Sequence, residues 1–140
     1  MALTGVLFYS FVEKLAEKAF DLQNDTLKVA LSNTAPDETS DTQLSDITQI
    51  SNGNGYTTGG EAVTVSSSAQ TGGTYKLVIT NPTWTASGNM GTFRYLVLYD
   101  DTATNDELIC YFDIGSGLSL TSSDTYTANF DATNGVIQIA

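Results

Sequence analysis

The chain has 140 residues, 41% of them hydrophobic, which is the size of one domain able to bury roughly two-thirds of its unfolded surface. Sixteen acidic residues stand against five basic ones, giving a net charge of −11, and Lys14, Lys18 and Lys28 place three of those cations in the first 28 positions. A surface so poor in cations excludes nucleic acid as a partner and disfavours an anionic membrane.

Residues 5–23, "GVLFYSFVEKLAEKAFDLQ", read as an amphipathic helix. Phe8, Phe11, Val12, Leu15, Ala16, Ala19 and Leu22 recur at three- and four-residue spacing, and Thr4 is placed to cap the N-terminus. The stripe either packs on the domain's own sheet or docks onto a second subunit; Phe8, Phe11, Val12 and Leu15 are its candidate contact residues. This divides the chain into an N-terminal helix, 1–24, and a β domain, 25–140.

From residue 26 the period changes to two. "TLKVALS" alternates, with Leu27, Val29 and Leu31 on one face. A long polar connection follows over 32–61, in which Leu44, Ile47 and Ile50 predict a short helical turn pinned to the core. Further strands are expected at 61–66, 74–80, 92–99, 107–113, 124–130 and 135–139, separated by Gly, Ser, Asn and Asp clusters. Short strands with turn signals between them predict a mainly β chain, an antiparallel β-sandwich of jelly-roll type with one N-terminal helix.

"YDDTATNDE", 99–107, carries Asp100, Asp101, Asp106 and Glu107 with no cation among them. It reads as a cation loop, half of an acid/base pair, or a hairpin turn. An EF-hand loop needs oxygen ligands at positions 1, 3 and 5 and Gly at 6. Counting from Asp101 puts Ala103 at position 3; counting from Asp100 puts Asn105 at position 6, so neither frame fits. Between two strands, Asp, Asn and Thr are turn formers, and the hairpin is the reading adopted, with no metal and no cofactor expected. "GNGYTTGG", 53–60, has dinucleotide-loop composition but the wrong spacing and no helix after it, which leaves a turn entering the next strand.

The chain has no histidine, which removes Ser-His-Asp and Cys-His catalysis and His-ligated zinc. Cys110 stands alone inside "LICYF" and reads as a small buried hydrophobe. A polysaccharide-cleaving enzyme needs two carboxylates fixed about 5–10 Å apart in a cleft, and with only Glu61 and Asp113 outside evident turns and helix surface such a pair is not expected. The reading is therefore not an enzyme. Tyr56, Trp84, Tyr95, Tyr99, Tyr111 and Tyr126 are expected in the core and at subunit seams, a sugar-stacking platform being the alternative. The start "MALTGVLFYSFVEK" lacks a basic n-region and cleavage site, and no apolar run reaches the ~18 residues of a membrane span, so synthesis in the host cytoplasm is expected.

Five phrases, "DTLKVALSNTAPD", "LSDITQISNGNGYTTGGEAV", "PTWTASG", "FRYLVLYDD" and "SDTYTANFDATNGVIQIA", together resemble small structural proteins of tailed-bacteriophage virions. The resemblance spans residues 25–140 and leaves the N-terminal helix outside it. It implies a β-sandwich or jelly-roll module acting as a capsid decoration (cement) protein, a homotrimer bound to the major capsid protein on the capsid exterior. A carbohydrate- or receptor-binding module of a tail tip or fibre is the alternative. The family supplies no catalytic residues.

Overall fold

A computed structural model describes residues 2–140. The chain is mainly β, with antiparallel sheets arranged as a sandwich and one α-helix near the N-terminus. In chain order the elements are β1 (Gly5–Leu7), α1 (Tyr9–Ala16), β2 (Leu27–Ser32), β3 (Glu61–Val63), β4 (Val65–Thr71), β5 (Thr74–Ile79), β6 (Thr83–Thr85), β7 (Met90–Asp100), β8 (Leu108–Leu120), β9 (Thr125–Thr127) and β10 (Ile137–Ile139). One layer is a five-stranded sheet in the order β1-β8-β7-β2-β3; across the core lie a three-stranded sheet, β10-β5-β4, and the ribbon β6-β9.

The N-terminal segment departs from the expected helix over 5–23 in two ways. Its first residues are a strand: Gly5, Val6 and Leu7 pair with Phe112, Tyr111 and Cys110 of β8, so pairing with a distant partner overrides the local helical period. Thr4 accordingly lies before β1, and the residue capping α1 is Phe8, in extended conformation with no side-chain cap. The helix also stops early. Lys18 adopts φ 67°, its amide donates to the Leu15 carbonyl at 3.2 Å, and the Ala19 amide reaches back to the Lys14 carbonyl at 2.9 Å. This is a Schellman ending with lysine where glycine is usual.

Residues expected as one strand at 61–66 are two. β3 pairs with β2 in the large sheet, whereas β4 pairs with β5 in the small one, so the chain changes layers at Thr64. A single core unites the layers: Leu27, Val29, Leu31, Leu96, Leu98 and Phe112 meet Leu77, Ile79, Trp84, Phe130 and Ile137. The Phe112 and Phe130 ring centroids lie 4.8 Å apart.

The connection after β2 is also structural. Its predicted helical turn is a 3-10 turn at Leu44–Asp46, closed by reciprocal Gln43 and Asp46 bonds. Leu44 and Ile47 pack on Ala30, Val97, Tyr99 and Leu108, on the face of the large sheet turned away from the main core. Covered on both faces, β2 is buried at Leu27 and from Val29 to Ser32, rather than on alternate residues. "GNGYTTGG" fastens this connection. A Cβ at Gly60, where φ is +80°, would lie 1.8 Å from the Val29 carbonyl oxygen. Only glycine permits that approach. The loop lies against β2, and no helix follows it.

Candidate functional site

The acidic stretch joins β7 to β8, and its carboxylates hold the turn. Asp100 Oδ1 accepts the Thr102 and Ala103 amides at 2.9 and 3.1 Å, and Glu107 Oε2 accepts the Asn105 amide at 3.2 Å. Asp101 pairs with Lys28 of β2 at 3.1 Å. The Thr26 amide donates to Thr102 Oγ1 at 2.8 Å, tying the tip to the start of β2. These are the local bonds that make Asp, Asn and Thr turn residues. Among the described residues no three or more His, Cys, Asp or Glu side chains are grouped to hold a metal ion.

One carboxyl oxygen is not accounted for by the turn. Asp100 is completely buried, and its Oδ2 receives no hydrogen bond from any donor. Facing it is Asp25, whose own Oδ2 accepts the Asp21 amide at 2.8 Å. Burial, and after it the Asp25 carboxyl, push the Asp100 pKa up to about 7. As a neutral acid Asp100 donates to Asp25, which turns an unsatisfied acceptor into a satisfied donor. Nothing local in the sequence marks this pair, because its members meet only when β2 and β7 align.

Beside the pair a cavity of about 770 Å³ opens between the segment after α1, the hairpin tip and the small sheet. Phe20, Leu22 and Ile139 give it an apolar floor, with Lys18, Asp21, Asp25 and Glu107 on its walls. Tyr75 also lines it, but its hydroxyl is engaged by Ser68 Oγ at 2.8 Å, and Asp21 is engaged by Asn24 at 2.9 Å.

Of the four expected contact residues, Phe8 and Phe11 are 0% and 1% exposed within this chain. Phe8 packs against Tyr111 at 5.5 Å on the outer face of the large sheet, and Phe11 against Phe20 at 5.1 Å in the main core. Leu15 is half-buried against the same core, and Val12 projects outward. The structure thus splits the set: two core residues, one at the margin, one on the surface. Among the described residues the exposed large hydrophobic side chains are Val6 (40%), Tyr9 (65%) and Val12 (62%), all from one short segment. Sequence reasoning missed Val6 and Tyr9. Tyr9 lies outside the helical stripe of Phe8, Phe11, Val12 and Leu15, and Val6 surfaces because β1 is a strand.

The Cys110 thiol is fully buried, which pushes its pKa well up and leaves no access for nucleophilic chemistry. Asp113 forms a bidentate pair with Arg94 at 2.8 and 3.0 Å. Tyr56, Trp84 and Tyr99 are core residues; Tyr95 and Tyr111 are half-buried with their rings 6.3 Å apart.

No family model, curated protein or solved structure matches this chain. The five phrases singled out in the sequence fall on β2, the packed connection, β3, β6, β7 and the stretch from β9 to β10.

Proposed function

We propose that this is a structural protein of a phage virion, a decoration protein that binds the major capsid protein on the outside of the head and stabilises the shell. The observation that carries the reading is the placement of Val6, Tyr9 and Val12, the exposed large hydrophobics among the described residues, on one short segment of an acidic sandwich. Exposed apolar side chains gathered on one segment offer a surface for docking another protein. Two further facts support the reading. The net charge of −11 suits the exterior of a DNA-filled shell better than its interior, where packed DNA repels it. The phrases that resemble those of phage virion proteins supply strands of both layers.

The test is made on particles. Heads assembled without this protein should form, burst at lower temperature than complete heads, and regain their stability when purified protein is added. Heads that are equally robust without it, on virions that fail to adsorb to cells, would replace the decoration role by a tail-tip binding module.

A further inference from the structure

We propose that the open edge of β4 takes up an extended segment of a partner protein as an added strand, with a lysine or arginine of that segment entering the cavity beside Asp25 and Glu107. The inference rests on the reading that this protein docks onto another, and it names the kind of segment that is recognised.

β4 is the last strand of the small sheet and pairs with β5 alone. Leu77 of β5, opposite Ser68, turns its carbonyl towards β10, where it accepts the Val136 amide at 2.8 Å. Backbone groups along an antiparallel strand point alternately to its two sides. Ser68 and, two residues on, Gln70 therefore turn their N–H and C=O groups away from β5, to the open edge. Sheets that must stay unpaired blunt such an edge with charge or proline. Residues 62–75 carry neither. The bulge of β4 lies at its start, between Val65 and Ser67, and leaves Ser67–Thr71 in regular register.

The edge borders the cavity. Ser68 and Tyr75 line it from the inner face of the small sheet, joined by their hydroxyls at 2.8 Å. Residues opposite one another on neighbouring strands share a face, so a strand laid along β4 turns the side chain opposite Ser68 towards the cavity. This is strand addition with a pocket for an alternate side chain.

Charge selects the occupant. Asp21, Asp25 and Glu107 line the walls against one cation, Lys18. Beside Asp25 lies the buried Asp100, whose Oδ2 no donor of the chain reaches. A lysine or arginine fits this lining along its length: the methylenes cover the apolar floor of Phe20 and Leu22, and the head reaches the carboxylates. A second copy pairing through its own β4 brings "VSSSAQT", which has no cation to offer, so the occupant is a different protein.

The immobilised full-length protein is panned against a display library of random heptapeptides. The enriched peptides should be β-forming sequences carrying a lysine or arginine, and should bind about tenfold more weakly to Gln70→Pro and to Ser68→Lys. Gln70 directs its amide outward, so proline there removes no ladder bond but blocks the edge. Ser68→Lys places a cation of the chain's own at the cavity, and decides the matter should Gln70→Pro alter the circular dichroism spectrum. Failure to enrich any peptide, enrichment of peptides without a cation, or equal binding by the folded variants overturns the inference. So does a wild-type dimer that Gln70→Pro dissolves, which would put a second copy on the edge. Binding to heads lacking this protein separates the two proposals. Heads coated equally by wild type and Gln70→Pro sink the inference and spare the decoration role; a wild type that selects cationic strands yet ignores heads does the reverse.

Discussion

Asp100 at the end of β7 is fully buried beside Asp25, just before β2, and burial first and the Asp25 carboxyl second raise the Asp100 pKa to about 7. Two ionised carboxylates cannot hydrogen-bond, so the contact stores a dependence on pH. Asp100 titrates near 7 in the folded chain, against 3.8 for an ordinary aspartate. Between these values the native state binds more protons than the unfolded state, and stability falls as pH rises. The melting temperature should therefore drop between pH 5 and about pH 8 more steeply than in Asp100→Asn, whose amide keeps the turn acceptor and donates to Asp25 at every pH. Parallel pH profiles for the two proteins, by circular dichroism melting, would refute the raised pKa of Asp100.

Calcium should leave the melting temperature unchanged. Asp100 Oδ1 and Glu107 accept turn amides and Asp101 pairs with Lys28, and a cation would have to displace those bonds. A rise of several degrees on adding calcium, abolished by Asp100→Asn with Asp101→Asn, would identify a metal loop instead.

Phe11 and Val12 are adjacent in sequence and opposite in consequence. Phe11→Ala empties a site packed against Phe20 and should cost about 3–5 kcal/mol in urea unfolding. Val12→Ala alters an exposed side chain and should change stability by about 0.5 kcal/mol or less. Equal costs would contradict the orientation of α1.

Lys18→Gly should raise stability by about 1 kcal/mol, because a lysine is held in the left-handed conformation that glycine adopts freely. Gly72→Ala offers the reverse case: φ is +59° in open space, so the loss should come from backbone conformation alone, about 1 kcal/mol. Denaturant midpoints for the two variants, moving in opposite directions, check the pair.

Local pattern alone specified much of this molecule. The alternation of "TLKVALS", the β-branched and aromatic runs that become β5, β7 and β8, and the turn chemistry of 99–107 are read from neighbours in the chain, because strand period and Asx bonding act over a few residues. Leu44 and Ile47 likewise announced their turn. Other features depend on partners distant in sequence. Gly5–Leu7 is a strand because β8 offers an edge, and Thr64 divides two strands because the layers on either side of it differ. Phe8 and Phe11 carry the same apolar signal as Val12, yet packing places the first two inside and the third outside. Hydrophobic period says which residues seek cover; it cannot say which cover the rest of the chain supplies. The raised pKa of Asp100 is the same case, created by burying it beside a carboxyl distant in sequence.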